Sequence, residues 1–245
     1  MKSSRQLTVI LLVVISALPI PAQESSARKL GGLEFGIGIN TFGPAHRMSN
    51  LMVENGFDDK VLDWVLFEQD EYPNYAPLGL GFQISYSWYV SQGSQAGIQI
   101  NYARLREVSG YSAISGPLDI LFSSTYLAPI YIFEMGRLEI KAGPALMINS
   151  GKTTNLYDEN VDVGVEKHRK LSPGLLAGMD FRIWDGTNTY GKIATHYVLT
   201  TRNNMGPFSA IYGFGNKHTI PESKIGFGHL NIGFILGIQI WEFSH

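Results

Sequence analysis

The fold class is decided by the stretch Leu138-Glu139-Ile140-Lys141-Ala142-Gly143-Pro144-Ala145-Leu146-Met147-Ile148. Successive side chains of a β-strand point to opposite faces of the sheet. The even-numbered side chains of this stretch are apolar, whereas the odd-numbered ones include a glutamate, a lysine and small residues. The pattern therefore predicts a strand with one apolar face, but it does not say by itself which face meets water.

The same alternation recurs along the chain and predicts eight strands, each at least about 11 residues long. Their approximate bounds are 32–42, 78–90, 95–108, 119–134, 137–150, 173–184, 189–201 and 226–243. The segment 119–134 is apolar on both faces, so alternation does not orient it. Long loops are predicted at about 43–77, 109–118, 151–172 and 202–226, all at one end of the array and opposite the short turns. In the first loop, residues 48–57 or 60–67 have the pattern of a short amphipathic helix.

Composition excludes several classes of protein. The net charge of −2 and the absence of a basic stripe exclude nucleic acid as a partner. Charged residues make up only 16% of the chain, against about 25% in soluble domains. There is no cysteine, which excludes disulfides, thiolate-bound metals and a lipid-modified N-terminal cysteine. No cofactor or metal motif is present, and we predict none.

The N-terminus has the pattern of a secretory signal peptide. Lys2 and Arg5 precede an apolar run over 7–18, which is followed by a small residue, Ala22, at the expected cleavage site. The run is shorter than the ~20 residues that a spanning helix needs. We therefore predict a signal peptide over 1–22 and one β-barrel domain over 23–245.

Two kinds of barrel fit the alternation: a soluble lipocalin-like barrel with its apolar face inside, and an outer-membrane barrel with its apolar face against lipid. The polar face is mostly Gly, Ser, Ala, Asn and Gln, which suits a packed interior better than a surface in water. Strands of this length also fit a tilted crossing of a bilayer. We therefore predict an all-β, eight-stranded antiparallel transmembrane β-barrel of the outer-membrane type, located in the bacterial outer membrane.

This orientation assigns roles to individual residues. A salt-bridge network is predicted in the lumen from Glu34, Glu139, Lys141, Asp180, Arg182 and Lys192. Lipid-facing positions are predicted at Leu138, Ile140, Leu146, Ile148, Ile232, Phe234, Leu236 and Ile238. Pro144 has no N–H to donate to the sheet, so a bulge or local break is expected beside Gly143.

Two segments resemble a known family. The pair formed by residues 125–133, with Tyr126-Leu127 and Pro129, and the strand with Gly143-Pro144 resembles the outer membrane protein β-barrel domain family, which includes PorT-like and small OmpA-like barrels. Ala128 stands where the family often has an acidic residue. The resemblance implies a small outer-membrane barrel, with some relatives serving protein secretion or gliding. The segment 226–243 also resembles the C-terminal signal read by the barrel assembly machinery.

No catalytic motif is present, so a non-enzymatic protein with a structural or surface-interaction role is predicted. Its partners would be outer-membrane lipids, the barrel assembly machinery and a protein at the outer loops, unless these loops only cover the rim. One alternative is a lipid-modifying hydrolase that uses His196 or His229 with a serine from another strand. The other is a soluble periplasmic lipocalin-like carrier of an apolar ligand. The acidic first loop is the weak candidate for a cation site.

Overall fold

A computed structural model describes residues 28–41, 43–57, 79–112, 116–153, 166–212 and 216–242. The predicted signal peptide and residues 60–67 lie outside these ranges. The long strands are β1 (Arg28–Thr41), β2 (Gly79–Ser91), β3 (Ser94–Ser112), β4 (Gly116–Met135), β5 (Leu138–Thr153), β6 (Lys167–Asp185), β7 (Thr189–Thr200) and β12 (His229–Glu242). The remaining elements are α1 (Ala45–Glu54), β8 (Asn203–Met205), β9 (Phe208–Tyr212), β10 (Asn216–Ile220) and β11 (Ser223–Ile225).

Within the described residues, the eight long strands form one closed antiparallel barrel. Strands β1 to β7 pair in sequence order, and β12 closes the sheet by pairing with both β7 and β1. Closure leaves no open edge along the paired part of the sheet. The predicted fold class, an eight-stranded antiparallel β-barrel, is confirmed.

Several predicted loops contain strands instead. The hairpin of β3 and β4 continues to Ser112 and Gly116, and β5 and β6 reach Thr153 and Lys167. The segment 202–226 contains β8 to β11, which form two small sheets, β8 with β11 and β9 with β10. The helix of the first loop begins at residue 45, close to one of the two predicted segments. No helix in the described ranges is long and apolar enough to cross a membrane.

The two faces of the barrel wall differ in the predicted sense. On β2, the outward side chains from Leu80 to Val90 are apolar and about half exposed, whereas Gln83 and Ser85 point inward and are buried. The structure also orients β4, which alternation left open. Tyr126, Ile130 and Ile132 face the lumen, where they join an apolar cluster with Met147, Leu176 and Val198.

Pro144 interrupts one ladder but not the strand. Between β4 and β5, the paired positions stop at Leu127 with Leu146 and resume at Tyr131 with Ala142, in the same register. Pro129 and Pro144 face each other in the gap, so neither strand can offer an N–H there. The expected irregularity is thus a local break and not a bulge, while the pairing of β5 with β6 continues through Pro144.

Above the barrel, at the end of the long loops, the described residues form a second layer that we call the cap. It consists of α1, the upper parts of β3 and β4, and β8 to β11. Its core contains the following buried side chains: Met48, Leu51, Met52, Phe57, Ala103, Leu105, Val108, Leu118, Ile120, Phe122, Met205, Phe208, Ala210, Ile220, Ile225 and Phe227.

Candidate functional site

Lys192 lies at the centre of the barrel interior. Its Nζ contacts the carboxylate of Glu34 from β1 and lies 2.5 Å from Oε2 of Glu139 from β5. Glu34 also accepts hydrogen bonds from the Tyr190 hydroxyl at 3.0 Å and from the Ser85 hydroxyl at 2.8 Å. Lysine is placed here because every second residue of β7 faces inward, and the closed sheet brings β1 and β5 within reach.

Arg182 extends this cluster toward the end of the short turns. Its Nη2 donates to Oε1 of Glu139 at 2.7 Å and lies 3.6 Å from Oε1 of Glu134. Glu134 accepts further hydrogen bonds from Gln95 at 2.5 Å and from the Tyr89 hydroxyl at 3.0 Å. The guanidinium therefore links two carboxylates, each of which has a second partner.

A separate ion cluster lies beside the first. Nζ of Lys141 is 2.5 Å from Oδ2 of Asp180, and both side chains are fully buried. Nε2 of His196 lies 2.7 Å from the other carboxylate oxygen, Oδ1. Asp180 is thus held between Lys141 on one side and His196 on the other.

The six predicted network residues all lie inside the barrel and all take part in ion pairs. They include three acidic and three basic residues, so their formal charges cancel. Desolvation makes a buried charge costly, and the close opposite charge together with neutral hydrogen-bond donors offsets that cost. The network is divided into two clusters, a division that the sequence did not predict.

Sequence reasoning missed several partners. Tyr190 lies two residues before Lys192 on β7 and therefore on the same face, so parity could have found it. Glu134 is also inward by parity, but the mixed character of β4 hid it. Ser85 and Gln95 gave no signal, because small polar residues occur on every inward face of the chain.

Hydrogen-bonded amides and hydroxyls fill the lumen between the charges and the cap. The Asn231 amide donates to Oδ1 of Asn40 at 2.8 Å, which joins β12 to β1. A chain of side chains crosses further strands, with Ser124 donating to Asn149 and Asn149 to Ser172, both at 2.8 Å. Beside Asn231, the glycine-lined crevice at Gly36 and Gly38 leaves no space for a water molecule.

The two candidate catalytic histidines are buried polar groups of the lumen. His196 has a carboxylate partner, and Nδ1 of His229 lies 3.0 Å from the backbone oxygen of Phe227. Among the described residues, no hydrogen bond joins a serine hydroxyl to either ring. The Ser-His-acid arrangement that the hydrolase alternative requires is therefore not formed in this part of the chain. Nor does any group of three His, Cys, Asp or Glu residues there have the geometry to hold a metal ion.

The eight positions predicted to face lipid all lie on the outer face of the barrel. Ile140, Leu146, Ile148, Ile232 and Phe234 are exposed. Leu138, Leu236 and Ile238 are half-buried between neighbouring side chains. This arrangement is the opposite of the one that a lipocalin-like carrier requires, since such a carrier has its apolar face inside.

Comparisons with known proteins show similarity of fold only. No family model matches the chain, and neither does any curated protein sequence. Outer membrane protein OprG from Pseudomonas aeruginosa is 15% identical, with a TM-score of 0.46 over 86% of this chain and 97% of that one. A major outer membrane protein from Thermus thermophilus is 10% identical, with a TM-score of 0.48 over 85% and 99%. Neisserial surface protein A is 9% identical, with a TM-score of 0.42 over 88% and 99%. Likeness this distant transfers no function.

Proposed function

We propose that this chain is a non-enzymatic integral protein of the bacterial outer membrane, with a closed barrel and a cap that acts at the outer surface. The observation that carries the proposal is the reversal of the barrel wall. Large apolar side chains such as Phe82, Ile84 and Phe234 are 42–53% exposed, while Lys141, Lys192 and Asp180 are buried. Lipid stabilises this arrangement, whereas water would not.

The dimensions of the apolar belt support the membrane placement. On β2 the exposed apolar positions extend from Leu80 to Val90. With a rise of about 3.3 Å per residue and a strand tilt of about 40°, this segment is about 25 Å high. That is the height of the apolar band of outer-membrane barrels.

The contents of the barrel support a closed and not a conducting protein. The lower lumen contains the ion pairs around Lys192 and Lys141, and the upper lumen contains the amide and hydroxyl contacts. The apolar core of the cap lies above both layers. An eight-stranded barrel has room only for side chains. Here Lys192 joins the carboxylates of β1 and β5 across the lumen, and the amide and hydroxyl contacts join neighbouring strands above it.

With a filled barrel, the exposed part of the cap is the surface that remains for interactions. We propose a structural or surface-interaction role for the cap, with outer-membrane lipids around the belt and the barrel assembly machinery acting at insertion. The PorT-like resemblance adds a finer hypothesis, in which the cap takes part in protein secretion. The outer segments would then bind a protein partner.

Fractionation followed by gel electrophoresis tests the proposal. The mature chain is expected in the outer-membrane fraction, to need detergent for extraction and to change its mobility on boiling, because a folded barrel resists SDS. In planar bilayers it is expected to show no steady conductance. A water-soluble protein whose band does not shift would overturn the membrane placement, and a stable open channel would overturn the closed barrel.

A further inference from the structure

The outer face of β5 and β6 changes abruptly from apolar to basic above the belt. Cross-strand pairs on this face can be followed upward through the register. Ile148 is paired with Leu171, and both are at least half exposed. The next pair on the same face joins Ser150 to Arg169, and the one above joins Lys152 to Lys167. Pairs on one face are about 7 Å apart along a strand, so the cations begin directly at the upper edge of the belt.

Lys152 and Lys167 are like charges placed directly opposite each other, which destabilises a sheet. Within the described ranges, no carboxylate forms an ion pair with Lys152, Lys167 or Arg169. The carboxylate next to them in sequence, Glu166, accepts a hydrogen bond from the backbone N–H of Ser209 in the cap at 2.7 Å.

The rim of β3 provides the contrast. Arg104 is also exposed and lies at a similar height, but Glu107 on the same strand is 3.5 Å away. Among the described residues, the cation of the β3 rim therefore has an acidic partner, while the cations of the β5–β6 rim have none. Two further exposed cations lie near this rim, Lys170 on β6 and Arg202 after β7. Arg202 is next to Asn203, whose amide donates to Ser172 of β6.

We propose that Lys152, Lys167 and Arg169, which we call the rim patch, bind the phosphate groups of anionic lipids in the outer leaflet. This inference rests on the proposed membrane placement, because the patch reaches headgroup level only if the belt lies in lipid. The occupant follows from two features: three cations with no acidic partner among the described residues favour an anion, and the side chains directly below them are apolar and face outward. A lipid satisfies both requirements with one molecule, its phosphate above and its acyl chains against Ile148 and Leu171.

The test compares the wild type with the triple variant K152Q/K167Q/R169Q and the matched control R104Q. Each protein is purified in neutral detergent, and its boiling-dependent mobility shift shows that it is folded. Retention of phosphatidic acid against phosphatidylcholine is then measured by native mass spectrometry. A cation near an anionic lipid surface contributes about fivefold in binding, so the triple variant is expected to lose phosphatidic acid preference on the order of a hundredfold. R104Q is expected to keep it.

Three results would overturn the proposal. The triple variant could keep its preference for phosphatidic acid, or R104Q could lose as much as the triple variant. Inorganic phosphate could displace the lipid better than chloride at equal ionic strength, which would make the patch a site for free anions. Failure of the membrane placement gives a different result, since the wild type would then show no mobility shift and no lipid retention at all.

Discussion

The barrel lumen and the cap have opposite interiors, although the same strands run through both. On β3, the inward side chains in the lumen are Gln95, Gln99 and Asn101, and all are buried. A few residues later, in the cap, the inward side chains are Leu105 and Val108. A shift of register between Arg104 and Glu107 marks the transition on this strand.

The difference shows that the medium around each region determines whether its interior is polar or apolar. Around the lumen, the outer face meets the belt environment, so apolar side chains point outward and polar groups are left to satisfy one another inside. Around the cap, water can solvate the outer face, so apolar side chains return to the inside. The lumen is consequently held by paired charges and hydrogen bonds beside one apolar cluster from β4 to β7, and the cap by apolar contacts. Substitutions in the two regions should therefore fail in different ways.

The largest effect is expected for Lys192→Met in the lumen. This substitution removes the cation between Glu34 and Glu139 and leaves buried carboxylates that Tyr190, Ser85 and Arg182 compensate only in part. Breaking such a pair costs about 3–5 kcal/mol of unfolding free energy. Urea unfolding in detergent, followed by loss of the fast-migrating gel band, measures it. Lys224→Met on the exposed surface of the cap is the control, and an unchanged midpoint for Lys192→Met would contradict the network.

Lys141→Ala tests the second ion cluster separately. Asp180 would keep only His196 as a partner, at 2.7 Å, in a fully buried position. The expected loss is in the lower part of the same range of about 3–5 kcal/mol, because one carboxylate and not two is left behind. Refolding in detergent with wild-type stability would show that the Lys141–Asp180 pair carries no stability.

Phe208→Ala is expected to affect the cap and spare the barrel. The ring contacts Phe122 and His168 edge to face, with centroids 6.2 and 5.0 Å away, beside the apolar core of the cap. Truncating a buried phenylalanine costs about 3–5 kcal/mol where the surroundings cannot collapse, and here we expect local opening to limit the loss. Limited proteolysis should cut the variant within 201–228 while its boiling-dependent shift persists. Simultaneous loss of the barrel band would show that the two regions unfold as one unit.

The same contrast explains how much the sequence could predict. Strict alternation over Leu138–Ile148 oriented β5, because each face had a distinct composition. Alternation could not orient β4, because its inward residues Ile130 and Ile132 are apolar as well. They face apolar side chains of β5, β6 and β7, and only the register of the strands brings these together. The cap was predicted as loops for a related reason. Its strands are short, and their apolar positions point inward, against the pattern of the belt.

The candidate site, like the fold, could be predicted only in part. Charged residues on a face of small polar residues were sufficient to select six members of the network, but not Glu134 or His196, which also form ion pairs in it. Their division into two clusters depends on the order of the strands in the closed barrel. Lys192 on β7 contacts Glu139 on β5, although β7 is paired with β6 and β12 and not with β5. His196 was weighed as a catalytic residue because parity alone cannot distinguish a histidine beside a nucleophile from one that supports a buried ion pair.

Arginine substitutions at two depths on the outer face test whether lipid surrounds the belt. Ile84→Arg lies at the middle of the β2 belt, and Leu171→Arg lies at the upper edge of the belt on β6. An arginine on the lipid face costs about 2–4 kcal/mol at the bilayer midplane and about 0–1 kcal/mol near the interface. Unfolding midpoints in lipid vesicles should therefore fall far more for Ile84→Arg. Equal losses at the two depths would argue against a bilayer around the belt.

The smallest effect is expected at Asp119 in the upper part of β4, beyond the belt. Burial raises the pKa of its carboxyl above the ordinary value of 3.8; the nearby Glu107 also raises it, and a hydrogen bond from Ser109 opposes the shift. The folded chain therefore binds this proton more tightly than the unfolded chain, so stability falls as the pH rises from 3.8 through the folded-state pKa.

Asp119→Asn removes this titration and should make the cap slightly more resistant to unfolding at neutral pH, with no difference from the wild type below pH 3.8. Thermal unfolding of the cap, followed by proteolysis across this pH range, measures the effect. Glu222→Gln, at an exposed cap position, is the matched control for removing one negative charge. If the two variants differ from the wild type by the same amount at every pH, the stability of the cap depends on net charge and not on the burial of Asp119. The interior of the cap would then be more accessible to water than its apolar core indicates.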